Sequence, residues 1–233
     1  MSNLDLLAVW YLAFFGFLVP FLVIRGRARV RAGVAIPPLK KRYLQTVAME
    51  LFFFAVAMFA AWNRGIPVFS RGILPARAVV LACVIFALGL GTLPLRWKFL
   101  SDEEKRRSLA TRPQQTGDLG PWFAISLAAG VVEEIVYRGV MMTLLLPMTR
   151  NWWVSVAICV LFFALGHVNQ PLRMVALVLA PLAVGLHLLV GWTGALYLAM
   201  ATHFLYDFFA GVIYIRLIRE YRSTSPAPAS AAA

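Results

Sequence analysis

Two adjacent carboxylates, Glu133 and Glu134, stand with Arg138 inside an apolar stretch running from about Pro121 to Leu146. Further ionisable groups lie in other apolar stretches: Glu50, His167, His187, His203 and Asp207. Helical spacing sorts them. Glu134 and Arg138 are four residues apart, so they share a face and can pair. Glu133 points about 100° away, on the face of Tyr137, where its helix offers no cation three or four residues off in either direction. His203 and Asp207 are again four apart, as are Phe163 and His167. A carboxylate without a cation in apolar surroundings suits general acid–base work near neutrality. With two imidazoles it can activate water and stabilise an oxyanion. Glu133, His167 and His203 are therefore the candidates for chemistry, with Asp207 beside His203. The competing reading is polar glue between helices, and it fits Glu134 and Arg138 as a supporting ion pair. His187 reads as a satisfied core histidine. Glu50, a short way into its apolar run, reads as an interfacial or structural carboxylate.

Such groups need elements that can hold charge in an apolar medium. Of 233 residues, 61% are hydrophobic and 14% charged, and the apolar runs are long enough for membrane-spanning helices. A charge near a bilayer centre costs roughly 2.5–3.5 kcal/mol on insertion scales. Three within two turns must face protein or a water-filled cavity. Seven spans are predicted: Leu6–Ile24, Leu44–Trp62, Ala76–Leu95, Pro121 to the residue before Pro147, Asn151–His167, Leu172–Val190 and Thr193–Ile215. The fold class is thus all-α, a polytopic membrane protein with one transmembrane domain over residues 1–222. The Ser-, Pro- and Ala-rich residues 223–233 read as a disordered tail. The first run reads as a retained helix, since Asp5 comes early and no basic segment precedes it.

The formal charge of +12 does not point to nucleic acid, because most Lys and Arg sit in alternate loops flanking the spans. There they orient the protein and meet anionic lipid head groups. The positive-inside rule places the N-terminus outside and the C-terminus in the cytoplasm. Glu133 then lies roughly 18 Å along its helix from the cytoplasmic end, and a cavity opening to the cytoplasm can join it to His203 and His167. Cys83 and Cys159 lack metal or redox spacing and read as buried, inert thiols.

The residues carry a resemblance. Glu133-Glu134-Ile135-Val136-Tyr137-Arg138 resembles the E-E-x-x-x-R motif of the CAAX-protease and bacteriocin-processing (CPBP, or Abi) family of intramembrane endopeptidases, which includes the type II CAAX prenyl proteases. Phe163-Ala164-Leu165-Gly166-His167 resembles its F-x-x-x-H motif, and His203-Phe204-Leu205-Tyr206-Asp207 its H-x-x-x-[N/D] motif. The three stand in the family's order, each on its own predicted span; the first three spans carry none. The resemblance implies hydrolysis of a peptide bond in a membrane-associated or lipid-anchored substrate, in a bacterial cell membrane. It implies Glu133 as the base that activates water, His167 as a group that orients it, and His203 with residue 207 as oxyanion donors. Glu134 and Arg138 would brace the helix.

Residue 207 is Asn in the eukaryotic CAAX proteases. An ionised Asp207 would repel an oxyanion, so it is expected to be protonated or to orient His203. No cofactor is expected, although Glu133, His167 and His203 are also a possible His2Glu zinc set. A non-catalytic immunity or scaffold protein of the same fold is a further alternative. An ion-coupled transporter would show inverted repeats or broken helices, and neither is visible.

Overall fold

The computed structural model describes residues 5–32, 34–168 and 170–224. Among these it is all-α, with no strand. Six helices are long and apolar enough to cross a membrane: α1 (Leu6–Arg29), α2 (Leu39–Arg64), α3 (Ala76–Lys98), α5 (Thr116–Thr149), α7 (Leu172–Thr193) and α8 (Tyr197–Thr224). Between them lie the polar helix α4 (Asp102–Thr111) and the apolar α6 (Trp152–Gly166). Their outward faces remain apolar, with Trp62, Leu88 and Leu177 each more than half exposed. That is the surface expected where hydrocarbon is the solvent.

The predicted span at Asn151–His167 is the one that falls short. α6 has 15 residues, about 22 Å at 1.5 Å per residue, against a hydrocarbon core of about 30 Å. It ends at Gly166 and leaves His167 within the bundle. Pro147, expected to lie beyond α5, sits inside its last turn, and Arg150 closes the helix in the left-handed conformation at φ 53°. A proline so near the end removes a single helical hydrogen bond. α8 continues through Thr224, past the point where the tail was expected to begin, and residues 225–233 lie outside the described ones. α4 is an addition within a stretch read only as polar. Ser101 and Glu104 form a reciprocal cap at its start, and the Ser101 amide, donating to Glu104, holds that carboxylate below its ordinary range. This Ser-x-x-Glu signal was legible in the sequence.

α5 is the centre of the bundle and packs most extensively on α8 and α2. A Cβ on Gly130 of α5 would stand 2.7 Å from the Phe204 amide nitrogen of α8. At the other end of the crossing, Gly211 of α8 leaves the only room for the Trp122 indole. Small residues let helix backbones approach closely, which is how helices associate in a medium as apolar as themselves.

Midway, α5 widens into a π-helix over Glu134–Met141, every residue of which is buried. Widening redirects carbonyls from their usual partners, and π segments concentrate at functional sites. Donors from neighbouring side chains meet these carbonyls. The Tyr11 hydroxyl of α1 donates to the Val136 carbonyl at 3.1 Å, and the Cys159 thiol of α6 reaches that of Tyr137 at 3.5 Å. Cys159 is buried as expected. Cys83 is exposed on the outer face of α3, contrary to expectation.

Candidate active site

The π segment fans its side chains toward three helices. Glu134 and Arg138 pair as expected, Oε1 to Nη1 at 3.1 Å, with both side chains wholly inaccessible. Glu134 Oε1 also meets His203 Nδ1 of α8 at 2.9 Å. Arg138 is held from two further sides. Its Nη2 donates to the Ala183 carbonyl of α7 at 3.4 Å, and its guanidinium lies 4.9 Å from the centre of the Phe163 ring. His187 Nδ1 donates to the same Ala183 carbonyl at 2.8 Å. Only half of His187 matches the expected satisfied histidine, because its buried Nε2 has no partner among the described residues.

The other edge of His203 faces a different pair. Nε2 stands 3.8 Å from Glu133 Oε2 and 3.6 Å from Asp207 Oδ2. Both separations exceed a hydrogen bond. Here accessibility separates the carboxylates: the Glu133 side chain keeps 18% of its surface and Asp207 keeps 27%, against none for Glu134. The first two border open space; the third is core. The Trp122 indole donates to the Asp207 carbonyl at 3.1 Å and fixes the backbone there.

These contacts assign roles to nitrogens. A carboxylate oxygen at Nδ1 requires that nitrogen to donate, so Nδ1 of His203 carries its proton toward Glu134. Nε2 can donate to another group only from the imidazolium, and Glu133, Glu134 and Asp207 surround the ring with negative charge suited to that form. Asp207 stands where it can orient and charge-balance His203, the second of the roles expected for it.

His167 comes near by another route. Glu133 and His167 each lie about four turns from the α5–α6 connection, so the antiparallel hairpin returns His167 to a similar depth. The Tyr137 ring packs edge-on against Phe163 at 5.3 Å, and a Cβ on Gly166 would stand 3.6 Å from the Tyr137 hydroxyl. The His167 ring rests against Phe163 at 4.5 Å, and its Nδ1 donates to the Phe163 carbonyl at 2.8 Å. With that proton committed, Nε2 is left as an acceptor. Among the described residues no hydrogen bond or ion pair joins His167 to Glu133 or His203. Nor do three His, Cys, Asp or Glu side chains there form a group able to hold a metal ion, so the proposed zinc set does not fit this arrangement.

Two residues of this neighbourhood escaped the sequence reading. Tyr137 carried a signal, sharing the face of Glu133 one turn on. Glu50 was misassigned: it is 4% exposed rather than interfacial, and Glu133 and His203 are the ionisable groups acting on it.

Residues 115–209 match the family model described as type II CAAX prenyl endopeptidase Rce1-like, a stretch that holds all three motifs and leaves α1 to α4 outside. No curated protein and no solved structure matches the chain. Its motif-bearing helices set the Glu133–Glu134–Arg138 cluster against His203 and Asp207 inside an integral membrane bundle, and the chain belongs to the CPBP family of CAAX-type intramembrane proteases.

Proposed function

We propose that the protein hydrolyses a peptide bond of a membrane-associated or lipid-anchored substrate, using water activated by Glu133. The division of labour between neighbouring carboxylates carries this reading. Glu134 is consumed by Arg138 and by His203 Nδ1, whereas Glu133 is accessible and faces Nε2. Glu133 takes a proton from water, and His167 Nε2 accepts the water's second hydrogen and so orients it. The hydroxide oxygen bonds to the scissile carbonyl carbon, and the charge that develops on the carbonyl oxygen meets the Nε2 proton of His203. Glu133 returns its proton to the leaving amine as the C–N bond breaks. A positioned base contributes about 10²–10⁴-fold, and one oxyanion donor about 10²–10³-fold. Asp207 holds the His203 ring and its charge. Glu134 and Arg138 brace the helix.

The site opens toward the cytoplasmic side of a bacterial cell membrane, where the basic loops lie. The test is cleavage of a membrane-tethered peptide by purified protein in detergent. Glu133→Gln and His203→Ala should each lower kcat/KM at least 100-fold at unchanged expression and thermal stability. Full activity in Glu133→Gln would overturn the proposal.

Hydrolysis without a metal is part of it. Elemental analysis should find no stoichiometric zinc in active protein, and chelators should leave the rate unchanged. Zinc lost in step with activity would overturn this half.

A further inference from the structure

Glu50 lies on α2, outside both the motifs and the matched residues 115–209. It points inward: 4% exposed, on the helix that packs along α5 through its α-helical and π segments. A buried carboxylate kept for structure normally has donors on its oxygens. Glu50 Oε2 is fully buried and meets none among the described residues. Its own helix offers only Thr46, Val47, Phe53 and Phe54 at three and four residues' distance, so no cation comes from there. The ionisable groups around it belong to the site. From α5 they are Glu133 and Tyr137, and from α8 His203, with Asp207 on the far side of that ring.

Glu50 and Glu133 are thus two carboxyls in one apolar space, served by a single imidazole whose Nδ1 is already given to Glu134. Two such groups do not both stay ionised; the arrangement is relieved when one proton lies between them. We propose that Glu50 is a positioning residue that acts through Glu133, the two carboxyls sharing one proton so that α2 sets the charge with which Glu133 meets water. The inference rests on the proteolytic role given above to Glu133 and adds a residue to it. It also accounts for a carboxylate retained deep in a span, where an unpaired charge is costly.

Two measurements test it. Infrared spectra of purified protein near neutral pH should show the carbonyl stretch of a protonated carboxyl. The band should be absent in Glu50→Gln and displaced in Glu133→Gln. A band indifferent to Glu133→Gln would mean that Glu50 holds its proton alone, and would overturn the sharing. In cleavage assays, the acid limb of the kcat/KM–pH profile should move to lower pH by about one unit in Glu50→Gln. The substituted amide removes the competing carboxyl and can donate to the Glu133 carboxylate. A limb left in place in folded Glu50→Gln would overturn the proposal. Should that variant fail to fold, Glu50→Asp, with its carboxyl drawn back by one methylene, should displace the band and move the limb part of the way; an unmoved band and limb would overturn it. The infrared result does not depend on turnover. A band sensitive to both residues in a protein that cleaves nothing upholds the carboxyl pair while the protease reading falls.

Discussion

Glu134→Ala is expected to destabilise the protein by about 3–5 kcal/mol, the usual cost of stranding one member of a buried ion pair. Its neighbour Glu133→Ala should shift stability by less than about 1 kcal/mol while removing cleavage. The two residues are adjacent in sequence and chemically identical, and their surroundings separate them. Removing Glu134 strips Arg138 Nη1 of its acceptor at 3.1 Å and His203 Nδ1 of its acceptor at 2.9 Å. The guanidinium is wholly inaccessible, so no water replaces the carboxylate. What remains for it is the Ala183 carbonyl at 3.4 Å, already accepting from His187, and the face of Phe163. Glu133 has no such dependants: His203 Nε2 stands beyond hydrogen-bond reach at 3.8 Å, and the side chain borders open space.

Thermal unfolding in detergent, with cleavage measured alongside, separates the two substitutions. Glu134→Gln, which keeps an acceptor oxygen, should fall between wild type and Glu134→Ala. The double variant Glu134→Ala/Arg138→Ala should cost less than the sum of its parts, since it leaves no orphaned charge. A Glu134→Ala protein as stable as wild type would show that the cluster does not hold the helices together.

Much of this site was legible because helical geometry alone places residues four apart on one face. The pairings Glu134–Arg138 and His203–Asp207 follow from that spacing, as does the seat of His167 beside Phe163. Which helices those faces meet was not legible. In a span that is apolar all round, no amphipathic stripe distinguishes a protein-facing side from a lipid-facing one. Glu50 and Cys83 were misplaced for that reason, one assigned to the interface but buried, the other assigned to the core but exposed. The π segment was hidden as well, since widening a helix depends on donors from elsewhere; Tyr11 is 125 residues from the carbonyl it serves. α1 and α2 thus carry no motif, yet one braces the motif helix and the other supplies a carboxyl to its site.

Gly130→Ala is expected to lower cleavage about 100-fold, with a stability loss of about 1–3 kcal/mol from overpacking. The added methyl would stand 2.7 Å from the Phe204 amide nitrogen and 2.8 Å from its Cα. Those are backbone atoms in the middle of a helix, which cannot rotate aside as a side-chain tip can. α8 must therefore move outward as a body. Phe204 immediately follows His203, so the shift falls on the ring that links the two carboxylates. A displacement near 1 Å breaks the Glu134–His203 bond at 2.9 Å and carries Nε2 farther from Glu133. Misplacement on that scale is enough for a loss of about 10² in rate.

The control is Gly120→Ala, at the start of the same helix. A Cβ there would meet nothing within 4 Å, and the exchange should leave cleavage unchanged and stability equal or higher by up to about 1 kcal/mol. Comparing kcat with KM locates the damage. Helix displacement at Gly130 lowers kcat, because the oxyanion donor and the base lose their shared geometry, whereas loss of a substrate contact would raise KM alone. An active Gly130→Ala enzyme would mean that α8 can shift without dragging His203, and would detach the close crossing of α5 and α8 from the chemistry assigned to it.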